Sequence, residues 1–374
     1  MIYLDNAATG GFKPRAVYES METVAKYLAA NPGRSGHRLA ITGAKIVSAA
    51  REKAAETFGC SPDRVIFTKN CTEALNIAIL GSVTRGCHVI TTVYEHNSVL
   101  RPLTRLQNIG LITFDAVAPE KDKPLAAAIE EKIKENTTLI VLNAVSNVTG
   151  EETDVTGIGN IAEKHGIKFI VDGAQAGGHI PVNLKRQKIS ALALAGHKGL
   201  YGVMGSGLLL IDDDTEITPV FTGGTGTESF NLNQPLSYPE RLESGTLNLP
   251  AIAALKEGID YAAKNVVNFG DALFAATEKV ITKLSEIDNL RCYSEPNRAG
   301  IVSFAIRNMP SAEVADILND EYDVAVRSGL HCAPLMHKFL HTEKEGLVRA
   351  SLSVQNSAGE LKSFISAVQK ISKY

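Results

Sequence analysis

Two short stretches of the chain put a carboxylate and an amine where they could act on one ligand. FIVDGAQA (169–176) reads as an apolar strand ending in Asp172, and ALALAGHKG (191–199) as another ending in His197 and Lys198. Open α/β sheets bind ligands beyond the carboxyl ends of their strands, so two neighbouring ends would set Asp172 and Lys198 on opposite sides of one molecule. Pyridoxal phosphate needs such a pair: an amine to condense with its aldehyde, and an acid that keeps its pyridine nitrogen protonated so that the ring can absorb electrons. An aspartate can equally cap a turn, and a lysine can equally be a solvated surface group. Lys198, however, sits between apolar residues and the glycine-rich GLYGVMGSG (199–207), a poor setting for a merely solubilising lysine.

The elements that would position these residues are legible around them. From about residue 60 to 215, Val/Ile/Leu runs alternate with amphipathic stretches, the pattern of a parallel sheet covered by helices. The expected strands are Arg64–Thr68, His88–Val93, Leu111–Val117, Thr138–Ala144, Lys168–Asp172, Ala191–Ala195 and Gly207–Ile211. The expected helices are Gly43–Phe58, Thr72–Leu80, Ser98–Gln107, Leu125–Lys134 and Val155–Lys164. After residue 212 the texture changes to GGTGTES (223–229) and a loop punctuated by Pro235, Pro239 and Pro250. A long helix from Ile252 to about Ile287 follows, then strand-like 301–306, a helix near 312–318, strand-like 324–327 and a last helix at 358–371. This reads as a large α/β domain with a smaller α+β domain behind it.

Composition narrows the function classes. The 38 Lys and Arg against 41 Asp and Glu give a net charge of −3, which offers no basic face for nucleic acid. The stretch 191–211 is apolar but holds His197, Lys198 and several glycines, so no membrane span is expected. MIYLDNAATGGFKP is broken by Asp5 and Asn6 before a signal-peptide core can form. The five cysteines are widely spaced and never form C-x-x-C, so neither disulfides nor a ribbon-type metal site is expected, and a reduced cytoplasm fits best.

Nine motifs in order resemble those of the cysteine desulfurases, in the class V aminotransferase group of fold type I pyridoxal-phosphate enzymes. They are YLDNAAT (3–9), FTKNCTEALN (67–76), YEHNSVLRP (94–102), VSNVTG (145–150), VDGAQA (171–176), GHKGLYG (196–202), RLESGTLN (241–248), VRSGLHCAPLMHK (326–338) and VRASLSVQN (348–356). The resemblance implies a mostly parallel seven-stranded sheet, with segments 1–15 (N-terminal, reaching the site), 16–260 (cofactor domain) and 261–374 (C-terminal domain). It implies that Lys198 holds the cofactor and moves protons, that Asp172 partners the pyridine nitrogen, and that Gln175 donates to the ring oxygen. Asn147 would stand near that oxygen and the substrate, although it could also be a turn residue before Gly150. His96 would stack on the ring and assist proton transfer, and His197 would touch the phosphate or the ring.

The phosphate would sit where Cys71 and Thr72 open a helix, since free amides and the helix dipole favour an anion. The family commonly has hydroxyl residues where this chain has Cys71 and Ala195. GGTGTES could compensate, with Thr225 reaching across a homodimer, or could simply be a flexible loop. Arg349 matches the arginine that grips a substrate carboxylate. Arg327 resembles a second substrate-side arginine and could equally serve in a salt bridge.

Cys332 lies on the loop of VRSGLHCAPLM, with His331 beside it and Arg327 five residues earlier, both suited to stabilising a thiolate. That loop resembles the active-site loop of the SUF-type, second group of the family. The implied reaction turns L-cysteine into L-alanine with a persulfide on Cys332, which a protein or small-thiol acceptor collects, for iron–sulfur cluster assembly or another sulfur-containing product. Alternatives are a selenocysteine or cysteine-sulfinate lyase, an aminotransferase or racemase of the same fold in which Cys332 is incidental, and a non-catalytic partner protein.

Overall fold

A computed structural model describes residues 1–33 and 35–373; Tyr374, the last residue of the expected third segment, lies outside the described residues. In chain order the elements are β1 (Ile2–Tyr3), α1 (Arg15–Tyr27), α2 (Arg38–Phe58), β2 (Val65–Thr68), α3 (Cys71–Leu80), β3 (Cys87–Thr92), α4 (Asn97–Asn108), β4 (Ile112–Val117), α5 (Leu125–Glu130), β5 (Thr137–Asn143), α6 (Val155–Lys164), β6 (Lys168–Asp172), β7 (Ala191–Ala195) and β8 (Gly207–Ile211). There follow α7 (Leu249–Ser285), β9 (Leu290–Cys292), β10 (Ile301–Ile306), α8 (Ser311–Tyr322), β11 (Val324–Ala325), β12 (Arg327–Gly329), α9 (Pro334–Leu340), β13 (Leu347–Ser351) and α10 (Ala358–Ile371).

The main sheet has the order β2-β8-β7-β6-β5-β3-β4. Its strands are apolar on both faces because helices cover both, and alternate residues feed opposite cores. Ile140, Leu142, Phe169, Val171, Leu192 and Leu194 pack with α2, α6 and the first half of α7. Leu139, Val141, Ile170, Ala191 and Ala193 pack with α3 and α4. β7, β6, β5, β3 and β4 run parallel, so β6 and β7 end on one edge, and Asp172 is in register with Ala193.

One strand departs from the parallel expectation. β8 runs antiparallel to both β7 and β2. The connection 196–206 holds no helix, and a parallel return needs a crossover of a dozen residues or more. This reversal brings Gly207 against the start of α3, where a Cβ would lie 2.8 Å from the Asn70 Cα.

The second core joins β10, β13, α8, α10 and the far half of α7. Its sheet is antiparallel, in the order β12-β13-β10-β9. The expected strand 324–327 divides in two: β11 pairs with β1, whereas β12 pairs with β13. α7 runs unbroken for 37 residues and contributes to both cores.

Candidate active site

The carboxyl edge of the main sheet opens onto a cavity of about 220 Å³ lined by Cys71, Thr72, His96, Asn147, Asp172, Gln175, His197, Lys198, Arg327 and Arg349, among others. The ten expected residues come from strand ends, helix starts and the second sheet. Asp172 ends β6 and is buried; it accepts from the Ala174 amide at 2.9 Å and from the Cys71 thiol at 3.4 Å. Burial pulls the Lys198 amine below its ordinary value; Asp172 and Cys71 oppose that shift, while Arg349 and Arg327 add to it. A lysine in this state keeps a share of neutral amine, the form that condenses with an aldehyde.

The peptide before Lys198 is held from the N-terminal segment, through contacts that the resemblance did not name. The His197 carbonyl accepts from the Gly10 amide at 3.0 Å and from Lys13 Nζ at 2.9 Å. The His197 ring meets Thr9 Oγ1 at 3.1 Å. Burial, then the charges of Lys198 and Lys13, lower the His197 ring to about 4, so it is neutral at physiological pH. Gln175 donates to the Ala7 carbonyl at 3.0 Å, tying the same segment to the turn after β6.

His96 caps α4: its Nδ1 accepts from the Ser98 amide at 3.1 Å, which leaves the proton of the neutral ring on Nε2. Burial holds this ring below its usual value. Ser98 Oγ also meets His96 Nδ1 at 2.9 Å and Thr72 Oγ1 at 2.8 Å, giving a chain from α4 to the start of α3. Asn70 caps α3 by accepting from the Glu73 amide at 2.9 Å. The amides of Cys71 and Thr72 keep no intrahelical acceptor, and both residues line the cavity. An amine held back from full protonation, a fixed carboxylate and first-turn amides together fit a phosphorylated pyridine aldehyde in the chemistry each offers. No group of three or more metal-binding side chains occurs among the described residues.

Arg349, on β13, is 1% exposed, yet carries its charge into the cavity. Nη1 donates to the Asn147 carbonyl at 2.9 Å and Nη2 to Asp5 Oδ1 at 3.2 Å. Asp5 is a second partner that sequence reasoning missed, since 344 residues separate the pair.

Cys332 is absent from the cavity lining, but Arg327 Nη2 stands 3.9 Å from its sulfur. The expectation that His331 helps to stabilise a thiolate is corrected. Burial, with Arg349, His337 and Arg327 nearby, drives the His331 ring far below its ordinary value, so it carries no charge. Its Nε2 instead donates to the Leu347 carbonyl at 3.1 Å. Burial raises the Cys60 thiol to about 12 and the Cys71 thiol well above its usual value, so neither is a nucleophile at neutral pH. Thr225 does not line the cavity of its own chain; it lies half-buried, with Oγ1 3.1 Å from Thr227 Oγ1.

Comparison with known proteins places the chain in a family. The chain is 34% identical to a probable cysteine desulfurase of Methanothermobacter thermautotrophicus, over 96% of this chain and 92% of that one. It is 33% identical to a probable cysteine desulfurase of Pyrococcus abyssi, over 100% and 94%. An apo structure of a cysteine desulfurase from Thermococcus onnurineus NA1 superposes with a TM-score of 0.93 at 32% identity, covering 100% of this chain and 94% of that chain. The Aminotransferase class-V profile matches residues 2–364, and the chain belongs to the class-V aminotransferase family.

Proposed function

We propose that the protein is a pyridoxal-phosphate-dependent cysteine desulfurase that converts L-cysteine to L-alanine and leaves a persulfide on Cys332. The observation that carries this reading is the guanidinium of Arg327 beside the Cys332 sulfur, at the edge of the cavity that holds Lys198 and Asp172. An aminotransferase needs no thiol there.

Lys198, Asp172, His96, Gln175 and the amides of Cys71 and Thr72 would hold the cofactor, with His197 supporting the peptide of Lys198. When bound, pyridoxal phosphate supplies an electron sink for the carbon that bears the amino group. Asp172, fixed by Ala174 and Cys71, would keep a proton on the pyridine nitrogen. Arg349 holds the substrate carboxylate, with Arg327 and Asn147 nearby. The Lys198 amine takes the proton from the substrate α carbon, and the neutral His96 assists from across the cavity. Cys332 Sγ then attacks the substrate sulfur: an S–S bond forms, the Cβ–S bond breaks, its electron pair with one proton completes the methyl group of alanine, and Lys198 returns a proton to the α carbon. Substrate sulfur is oxidised and Cβ is reduced, so no outside oxidant is needed. A protein or small-thiol acceptor removes the outer sulfur by exchange, in service of iron–sulfur or related sulfur chemistry.

A homodimer is part of this reading. Phe230 and Leu232 are fully exposed on the segment that carries Thr225, as expected of a surface that a second copy covers. Thr225 would then reach the partner's phosphate site. The division into 1–15, 16–260 and 261–374 remains our proposal, its second boundary lying within α7. No described helix is long and apolar enough to cross a membrane. A cytoplasmic location, with neither a membrane nor a nucleic-acid partner, is a separate part of the proposal. Incubating the loaded protein with L-cysteine should yield alanine and one added sulfur on the Cys332 peptide by mass spectrometry. Alanine without sulfur at Cys332 would favour a lyase that does not use the thiol.

A further inference from the structure

The loop that carries the thiol is held by one amide of the cavity wall. Asn147 Nδ2 donates to the His331 carbonyl at 2.8 Å, and both residues are buried. A carbonyl only accepts, so the amide orientation is fixed and Oδ1 is directed away from the loop. Among the described residues, that Oδ1 is buried and has no hydrogen-bond partner, although Asn147 lines the cavity. One residue further on, the Cys332 carbonyl accepts from the Asn97 amide at 2.7 Å. These two bonds pin His331 and Cys332, whose φ values of 47° and 58° are left-handed. Side chains with a Cβ persist in that region only where their surroundings hold them.

The platform beneath the amide is firm. Val148 packs with Ala333 and Met336, and its carbonyl accepts from Ser303 Oγ at 2.5 Å. The Asn147 carbonyl is itself held by Arg349. A single residue therefore touches the thiol loop through its side chain and the carboxylate-binding arginine through its backbone.

We propose that Asn147 is a positioning residue for Cys332: its Nδ2 latches the loop through the His331 carbonyl, and its backbone carbonyl, held by Arg349, ties that latch to the arginine that would grip the carboxylate of an amino-acid substrate. Arrival of the substrate carboxylate and placement of the thiol then share one residue, and the latch on the thiol loop reaches beyond the place near cofactor and substrate that resemblance assigns to Asn147. The inference rests on the desulfurase reading for its purpose. Its test requires no turnover.

Iodoacetamide alkylation of Cys332, read by peptide mass spectrometry with an added cysteine-containing peptide as the reference thiol, would be compared in the cofactor-loaded protein and in the Asn147→Asp and Asn147→Ala variants. Losing one buried hydrogen bond should speed alkylation of Cys332 about fivefold in both variants, the shift in loop population expected for one such bond. L-Alanine should slow the reaction in the unsubstituted protein and have no effect in either variant. Unchanged alkylation in variants that bind the cofactor or L-alanine more weakly would overturn the proposal, leaving Asn147 a ligand only. Should both variants fail to fold, amide exchange in the unsubstituted protein decides. The Asn97 amide must be protected, and more so with L-alanine; exchange at the rate of an open loop would overturn the latch. Absence of alanine production from L-cysteine would count against the enzymatic reading and leave the alkylation result intact.

Discussion

Replacing Arg349 tests the proposed substrate grip most directly. A guanidinium has five N–H donors, and the structure commits one on Nη1 to Asn147 and one on Nη2 to Asp5. Nε–H is buried with no partner among the described residues, and one N–H remains on each terminal nitrogen. Nε–H with a neighbouring Nη N–H is the geometry that takes a carboxylate through two parallel hydrogen bonds. Burial lowers the guanidinium to about 10, with Arg327 adding to the shift and Asp5 opposing it, so the group still carries its charge at neutral pH. A charge-assisted hydrogen bond contributes about 1.5–3 kcal/mol, so losing two puts the cost of Arg349→Ala near 3–6 kcal/mol in transition-state binding. At about 1.4 kcal/mol per factor of ten, kcat/KM for L-cysteine should fall by about 10²–10⁴. Arg349→Lys offers one compact charge that cannot serve Asn147, Asp5 and the substrate together, so it should recover less than a tenth of the loss. The assay is steady-state alanine release, with cofactor content checked by absorbance in each variant. A fall of less than tenfold in Arg349→Ala, with the cofactor retained, would refute the assignment of the carboxylate to this residue.

Cys332→Ala should abolish sulfur transfer to a thiol acceptor while cofactor absorbance is kept; full transfer activity would remove the thiol from the reaction. Arg51 Nη1 donates to Glu243 Oε1 at 2.9 Å, so Arg51→Ala should destabilise the fold by about 3–5 kcal/mol: it strands Glu243, which burial already lifts above its ordinary value and which also accepts from the Phe67 amide at 2.6 Å. Denaturant titration of that variant checks the figure, and a shift under 1 kcal/mol would argue against it. His197 and His179, both lowered to about 4 by burial, are neutral when folded and take up protons near pH 6.5 when unfolded. The unfolded chain then binds more protons, so their stabilising effect is complete above about pH 6.5 and is lost as pH falls towards 4. Thermal midpoints at pH 7.5 and 5 should differ in that direction, and equal midpoints would contradict it.

The main sheet was legible because each strand is a short apolar run between turn residues. KFIVD, ALALA and GLLLI form strands at the expected limits. Helix ends were less legible: α5 stops at Glu130, before the amphipathic pattern is exhausted, and α2 begins five residues early, at Arg38, with His37 as its cap. α1, β1, α9 and β13 carried little local signal. α1 buries only Val17 and Val24, and β1 spans two residues that pair with a strand more than 300 positions away. In the site, residues that carry a motif were readable, whereas those defined by a long-range neighbour were not. Cys71 looked like a hydroxyl lost from a phosphate cup, yet its thiol donates to Asp172, a contact that only the order of the folded sheet creates. His331 looked like a cation beside a thiol, but its charge is set by burial and by two arginines, which no spacing along the chain discloses.

The first thirteen residues touch the site in four places. Asp5 pairs with Arg349, Ala7 receives Gln175, Thr9 meets His197, and Lys13 reaches the carbonyl that precedes Lys198. Proteolytic trimming of this short leader would thus strip support from both the carboxylate grip and the reactive lysine while leaving the two hydrophobic cores of the large sheet nearly complete. A clipped preparation would keep its ellipticity and lose its chemistry, so intact mass, more than spectroscopic fold, is the sounder gauge of a competent sample.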